Sequence, residues 1–274
     1  MRTINIAIIS DSSGGTAYCE AKTALSQFPK VKAIFRRYPF ITTTSIAKAP
    51  LDYAKEHDAV IFDTLVSPKL NEMVYNFAKW NHLVLVDCLH QPVSASKNHY
   101  HVHPVLQTGM VHKLTSEYFD KISAIEFATK NDDGKNPDSI PRADIVILGP
   151  SRTSKSPLSL YLAQHYGYKV VNVPIGPQIQ LPQQIYQVNR QRIFGLLNSV
   201  DLLRNIRKNR LRNDGLTNVN TPYTNPKNIQ EELDYAKELY RKLGCLQINV
   251  SNKSIEETSA FILEALGNNE LIKR

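Results

Sequence analysis

The feature that most constrains the fold is an apolar run followed by a short polar loop and then a helical pattern. The apolar run is residues 143–148, the loop is 149–156 and the helical pattern is 157–163. A strand, a loop that ends in Lys-Ser and a helix form the arrangement of a phosphate-binding P-loop. Backbone amides at the start of such a helix lack partners within it, and the helix dipole adds partial positive charge. The sequence therefore predicts an anion site where strand and helix meet.

The predicted nucleotide-binding residues are contiguous. They are Gly149, Pro150, Ser151, Arg152, Thr153, Ser154, Lys155 and Ser156. Lys155 is predicted to place its charge against the terminal phosphates, and the hydroxyl of Ser156 to bind a Mg²⁺ that bridges them. Such loops usually have a second glycine where Ser154 stands, because that position needs permissive backbone angles. An ordinary strand-to-helix turn rich in hydroxyls is the alternative interpretation.

Strand-like runs alternate with helical patterns in both halves of the chain. This alternation predicts an α/β fold, with an N-terminal parallel-sheet domain followed by a P-loop-containing α/β domain. The predicted division is 1–105 for the N-terminal domain, 106–142 for a helix and connecting segment, and 143–274 for a P-loop kinase-like domain. In the first domain, we expect strands at 4–10, 31–35, 59–65 and 82–89, and helices at 16–27, 46–55 and 69–79.

Two polar segments of the first half are open to interpretation. Residues 11–16 follow the first strand and are a candidate second anion loop. A glycine turn with Ser13 or Thr16 as the helix cap is an equal alternative. Residues 90–109 are predicted to be a long connection, and the alternating histidines in it lack evident carboxylate or cysteine partners. We interpret those histidines as loop residues rather than metal ligands.

Two arginines lie on the apolar side of a helix predicted at 199–212. At 100° per residue, Arg207 and Arg210 lie within the apolar arc that contains Val200 and Leu203. An unpaired guanidinium on that face is costly to bury, and phosphate is a natural partner for its planar fork. We predict that both bind phosphate. A structural pair with a carboxylate, or aliphatic stems that extend to water, is the alternative.

Composition narrows the class of function. The formal net charge of +8 suits phosphorylated ligands or an acidic partner. No block of lysine and arginine is typical of a nucleic-acid-binding arm, so no nucleic acid partner is expected. No apolar run approaches the roughly 20 residues that cross a bilayer, so no membrane segment is expected. The 3 cysteines are odd in number and far apart, which indicates a reducing, cytoplasmic location.

Several segments together resemble one family, in the same order over nearly the whole chain. They include SDS at 10–12, DDG at 132–134, GPSRTSKSPL at 149–158, IRKNRL at 206–211 and SIEET at 254–258. The chain thereby resembles the pyruvate, phosphate dikinase regulatory proteins and the related phosphoenolpyruvate synthetase regulators. Two positions depart from the family pattern, since Gly15 and Asn249 stand where the family usually has carboxylates.

The resemblance implies a bifunctional serine/threonine kinase and phosphorylase. Such an enzyme inactivates pyruvate, phosphate dikinase by transferring phosphate from ADP to a threonine, which leaves AMP. It reactivates the dikinase with inorganic phosphate as co-substrate and releases pyrophosphate. Regulation of phosphoenolpyruvate synthetase by the same chemistry is one alternative. An unrelated P-loop small-molecule kinase is another, although no aspartate-ended strand follows the loop.

The resemblance also implies roles for particular residues. The 149–156 loop is the expected ADP site, with Mg²⁺ at Ser156. The expected catalytic residues are Lys155, Ser156, Asp132, Arg207 and Arg210. Asp132 or its neighbour Asp133 is expected to accept the threonine proton or to hold the metal, and a simple turn is the alternative. A homodimer is the expected assembly.

Overall fold

The computed structural model describes residues 2–110 and 116–267. The chain forms two compact units, Met1–Lys113 and Leu114–Arg274. Each unit contains one 4-stranded sheet, and all strand pairs in both sheets are parallel. The predicted α/β class with parallel sheets is therefore confirmed.

The first unit alternates strands and helices. Its elements are β1 (Arg2–Ser10), α1 (Gly15–Ser26), β2 (Val31–Tyr38), α2 (Lys48–Glu56), β3 (Val60–Thr64), α3 (Pro68–Trp80), β4 (Leu85–Asp87) and α4 (His90–Tyr100). The strand order is β2-β1-β3-β4. The central strand β1 is buried on both faces: Ile6 and Ile8 pack towards α1, whereas Ala7 and Ile9 pack with residues of α2 and α3. This double burial explains why its sequence is a continuous apolar run.

The helix α4 corrects the prediction that residues 90–109 form a long connection. None of its residues is buried, so it lacks the periodic apolar face that identifies helices in a sequence. Its start is fixed by Asp87, whose Oδ1 accepts hydrogen bonds from the backbone amides of Leu89 and His90, at 3.0 and 2.8 Å. The predicted caps of α1 are also wrong, because its N-cap is Gly14, with φ 73° and no side-chain cap.

The second unit repeats the alternation. Its elements are α5 (Ser116–Lys130), β5 (Ile145–Gly149), α6 (Lys155–Tyr166), β6 (Val170–Pro174), β7 (Ile193–Leu197), α7 (Val200–Asn213), α8 (Pro226–Leu243), β8 (Leu246–Asn249) and α9 (Ile255–Gly267). The strand order is β6-β5-β7-β8. The strand β5, which leads into the 149–156 loop, therefore lies at the position in the sheet where the order reverses. In open α/β sheets, ligands bind at the carboxyl end of the strands beside such a point.

The helix α5 packs through small side chains rather than large ones. Its buried residues are Ala124 and Ala128, whereas Tyr118 and Ile122 are largely exposed. Small side chains allow α5 to approach Ala163 of α6 closely. The start of α9 is capped by two side chains. Ser254 Oγ accepts a hydrogen bond from the Glu257 backbone amide, and Glu257 Oε2 accepts one from the Ser254 backbone amide.

No helix within residues 2–110 and 116–267 is long and apolar enough to cross a membrane. The cysteines at positions 19, 88 and 245 all carry free thiols. Burial raises the pKa of the Cys88 thiol to about 12 and that of the Cys245 thiol to about 11, so neither is a reactive nucleophile at neutral pH.

Candidate functional site

The 149–156 loop joins the carboxyl end of β5 to the first residue of α6. Ser154 is the N-cap of α6 and has a left-handed backbone, with φ 64°, and no side chain caps the helix. Arg152 also has positive φ, at 70°. The serine therefore adopts the conformation for which related loops use glycine, at a cost of roughly 1–2 kcal/mol. Such strain is typical of sites where a backbone shape is needed for function.

The first half of the loop is folded tightly on itself. Thr153 is fully buried, and its hydroxyl donates to the Pro150 carbonyl at 2.9 Å. A Cβ on Gly149 would lie 2.5 Å from Thr153 Oγ1 and 3.3 Å from Lys155 Cδ. Glycine is therefore required at position 149 for close approach rather than for an unusual φ.

Lys155 is buried at the beginning of α6. It is 7% exposed, and its Nζ donates to the Pro150 carbonyl at 3.2 Å. Burial lowers the pKa of Lys155 to about 8, although the carboxylates of Asp133 and Asp132 oppose the shift. The ammonium group thus lies at the loop, in a poorly hydrated position where its charge has a large effect.

The turn at Asp132–Gly134 lies next to the loop and is fixed by Asn172 of β6. Asn172 is 1% exposed. Its Nδ2 donates to Asp132 Oδ1 at 2.7 Å, and its Oδ1 accepts from the Asp133 amide at 3.1 Å. Burial disfavours the ionised Asp132, but side-chain hydrogen bonds from Ser156 and Asn172 hold its pKa below the usual value. The structure thus brings together Asp132, Ser156 and Lys155, three of the residues singled out from the sequence.

Ser156 and Asp132 are the donor pair that could hold Mg²⁺. No group of three or more His, Cys, Asp or Glu in the described part of the chain has the arrangement of a metal site. Mg²⁺ commonly takes only one or two carboxylates and completes its shell with water and substrate phosphates. The Ser156 hydroxyl at the start of α6 and the ionised carboxylate of Asp132 beside it fit that requirement.

Arg207 is fully buried and is paired with a carboxylate. Its Nη atoms donate to the Glu232 carboxylate at 3.1 and 2.6 Å, to the Ser151 carbonyl at 3.2 Å and to the Tyr223 carbonyl at 3.0 Å. The guanidinium also lies 4.5 Å from the centre of the Tyr223 ring. The structure therefore shows the structural pair with a carboxylate, which was the alternative to phosphate binding for Arg207.

Arg210 does not lie on a buried face, which corrects the prediction from helical periodicity. Its side chain is 52% exposed and its Nε pairs with Asp214 at 2.9 Å. The last turn of α7 extends beyond the packed part of the helix, so the apolar arc does not continue that far. Arg152, in the loop itself, is exposed.

Three residues of this site were not identified from the sequence. Asn172 is a polar residue within an apolar strand, and this exception was the available signal. The sequence around Glu232 and around Tyr223 is polar, and it contains no pattern that marks either residue as part of a site. Ser151 connects them to the loop, since its hydroxyl lies 3.0 Å from that of Tyr223.

A separate group of carboxylates lies at the carboxyl edge of the first sheet. Asp63 is 0% exposed, and neither of its oxygens has a hydrogen bond of good geometry among the described residues, although the Leu65 backbone amide is directed at the carboxylate. Burial raises the pKa of Asp63 to about 7, and the charge of Asp87 adds to this shift. Asp87 itself is well supported, because its Oδ2 lies 2.8 Å from His90 Nδ1 and 3.1 Å from the Asn71 amide.

Comparison with known proteins gives consistent matches. The model of a family described as kinase/pyrophosphorylase matches residues 6–263. A Levilactobacillus brevis protein named "Putative pyruvate, phosphate dikinase regulatory protein" is 48% identical, covering 97% of this chain and 96% of the relative. Proteins with the same name from Ligilactobacillus salivarius and Pediococcus pentosaceus are 47% and 46% identical, covering 96% and 97% of this chain and 96% and 98% of the relatives.

These matches define a class of enzyme whose description names both a kinase and a pyrophosphorylase. The chain belongs to the kinase/pyrophosphorylase family. This membership favours the regulatory family over the alternative of an unrelated small-molecule kinase. Among solved structures, a LacI transcriptional regulator from Lactobacillus brevis matches with a TM-score of 0.21 at 12% identity, covering 91% of this chain and 98% of that chain. That similarity is too low to bear on the fold.

Proposed function

We propose that this protein phosphorylates a threonine of pyruvate, phosphate dikinase with ADP as donor, and removes that phosphate by phosphorolysis. The target follows the names of the relatives. The observation that carries the proposal is that the uncapped start of α6, the Lys155 ammonium and the contact between Ser156 and Asp132 of the neighbouring turn all lie at one loop. In a site of this kind the helix start and the lysine neutralise the negative charge of a phosphate chain, and a Mg²⁺ held by the hydroxyl and the carboxylate would neutralise the rest.

In the forward direction, the threonine oxygen attacks the β-phosphorus of ADP and the bond to the bridging oxygen breaks, so that AMP leaves. Amides at the start of α6 bind phosphate oxygens, and Lys155 stabilises the charge on the transferred group. Bound Mg²⁺ would neutralise phosphate charge beside Ser156 and Asp132. The threonine proton passes to Asp133, because Asp132 is already engaged by Asn172 and held ionised.

In the reverse direction, an oxygen of inorganic phosphate attacks the phosphorus of the phosphothreonine. The bond between threonine oxygen and phosphorus breaks, pyrophosphate leaves and the threonine oxygen regains a proton. Both directions place two phosphoryl groups in line at the same loop, so one cationic site serves both. Arg207 supports this site by holding the Ser151 carbonyl, and it is a positioning residue rather than a phosphate ligand.

The decisive test uses purified dikinase, Mg²⁺ and either ADP labelled in the β-phosphate or ATP labelled in the γ-phosphate. We expect labelling of a threonine from ADP only, and release of labelled pyrophosphate when inorganic phosphate is added. Purified phosphoenolpyruvate synthetase, assayed in parallel, is expected to stay unlabelled. Labelling from ATP alone, or labelling of the synthetase alone, would contradict the proposal.

The affinity for ADP is expected to fall as the pH rises above about 8. The pKa of Lys155 is about 8 in the free protein, so the ammonium is present below that pH and is lost above it. Once the charge is lost, affinity should weaken by up to about tenfold per pH unit. Dissociation constants measured by equilibrium dialysis between about pH 7.5 and 9.5 would show the break.

The matched variant for this measurement is Lys155→Arg, because a guanidinium stays protonated throughout the range. Its affinity for ADP is expected to be weaker than that of the wild type but nearly independent of pH. Identical pH profiles for the two proteins would show that some group other than Lys155 titrates.

A further inference from the structure

A cavity of about 510 Å³ opens beside the beginning of the 149–156 loop. One wall is the chain that follows β6, and the other is formed by the turn at Pro222–Thr224 and the start of α8. Its apolar lining includes Pro174, Ile175, Pro177, Ile179 and the ring of Tyr223. Ile179 is 43% exposed. The size and lining are those of a binding cavity rather than a packing defect.

The cavity lies at one particular end of the loop. Lys155 Nζ reaches back to the Pro150 carbonyl at 3.2 Å, and the lysine of such a loop contacts the terminal phosphates. Pro150 therefore marks the end of the loop where the transferred phosphate would lie. The next residue, Ser151, lines the cavity. A second, much smaller cavity of about 20 Å³ lies at the other end of the loop, beside Ser154 and Lys253.

The rim of this cavity carries negative charge, although the protein as a whole is positively charged. Glu231 and Glu232 line the cavity, and no lysine, arginine or histidine is among its described lining residues. Glu232 is paired with Arg207, whereas Glu231 is exposed and forms no ion pair with any described residue. A carboxylate rim disfavours a free nucleotide and favours a cationic side chain beside it, in a chain whose net charge is +8.

We propose that this cavity binds the protein acceptor, as an extended segment that carries the hydroxyl to be phosphorylated. The segment inserts an apolar side chain between Ile179 and Tyr223 and places a lysine or arginine against Glu231. The inference rests on the proposed function, because it takes the terminal phosphate to lie near Pro150. In-line transfer requires the acceptor oxygen on the far side of that phosphate from the leaving group, which is where the cavity opens.

The test uses two substitutions at exposed positions in the full-length protein, so that folding is little disturbed. Ile179→Asp removes the apolar contact, and Glu231→Lys reverses the rim charge. Leu216→Asp and Glu264→Lys are the matched controls, since both residues are also exposed and lie outside the cavity. Binding of purified dikinase is measured by biolayer interferometry without nucleotide, and binding of ADP is measured separately by equilibrium dialysis.

We expect the dissociation constant for the dikinase to rise by about tenfold or more in each cavity variant and by less than about twofold in the controls. The affinity for ADP should be the same in all five proteins. Unchanged dikinase binding in both cavity variants would overturn the inference. If the cavity variants lost affinity for ADP and kept their affinity for the dikinase, the inference would also be overturned, since the cavity would then bind the nucleotide.

Failure of the proposed function has a different signature. In that case the wild type binds the dikinase through the cavity, with the variant pattern given above, yet transfers no phosphate from ADP. A wild type that does not bind the dikinase at all would overturn the assignment of the cavity to this acceptor.

Discussion

Replacing Arg207 with alanine is expected to lower the free energy of unfolding by about 3–5 kcal/mol and to abolish ADP binding. The substitution leaves the Glu232 carboxylate without its cation in a partly buried position and removes the donors to two backbone carbonyls. Breaking a buried pair on one side is among the most destabilising single changes. One of the two carbonyls belongs to Ser151, so the loop should lose its shape together with the stability. Urea unfolding and equilibrium dialysis with ADP measure the two effects.

Two further variants distinguish a positioning role from direct phosphate binding. Arg207→Lys keeps the charge but cannot donate to all three groups at once, so it should recover part of the stability and little of the ADP affinity. Arg210→Ala breaks an exposed pair and should cost less than about 1 kcal/mol. If Arg207→Ala unfolded at the same urea concentration as the wild type but no longer bound ADP, the original prediction of a phosphate ligand would be correct.

Replacing Asp63 with asparagine is expected to stabilise the protein by up to about 4 kcal/mol at pH values above 7. The folded pKa of this carboxyl is about 7, whereas the ordinary value is 3.8. Between those values the folded state holds the proton and the unfolded state has lost it. The wild type should therefore lose stability as the pH rises from about 4 to about 7, and then level off, at about 1.4 kcal/mol per unit of pKa difference.

The comparison of two pH values isolates this effect. At about pH 3 the wild type and Asp63→Asn should have similar unfolding midpoints in urea, because the carboxyl is then largely neutral in both the folded and the unfolded state. Asp52→Asn is the matched control, since Asp52 is an exposed carboxyl in the same unit, and it should leave the midpoints unchanged. A difference between Asp63→Asn and wild type that is equal at both pH values would show that the effect does not come from ionisation of Asp63.

The central strands β1 and β5 were predictable because their burial is continuous, whereas β7 was not predicted although it is also buried. Segments such as β1 and β5 are apolar at nearly every position, and a short run of this kind between turns indicates a buried parallel strand. The helix α4 was not predictable, since it buries no side chain and its start depends on the carboxylate of Asp87. Local hydrogen bonds of this type leave no periodic pattern in the sequence.

The candidate site shows the same limit. The loop was recognised from its residue types, and Arg207 was identified as an anomaly because the apolar face of α7 is periodic. Its partner Glu232 was not identified, because it lies 25 residues away along the chain and only the packing of α8 against α7 brings the two side chains together. The contact of Asp132 with Asn172 likewise spans 40 residues, which is why a simple turn remained an open alternative.

Each sheet takes all four of its strands from one unit. The last strand of the first sheet ends at Asp87, so during translation that sheet is complete before any strand of the second has been made. N-terminal units commonly fold first as the chain emerges. The first unit can therefore bury its core on the ribosome without waiting for a strand from the second unit, and the second unit is synthesised after the first has folded.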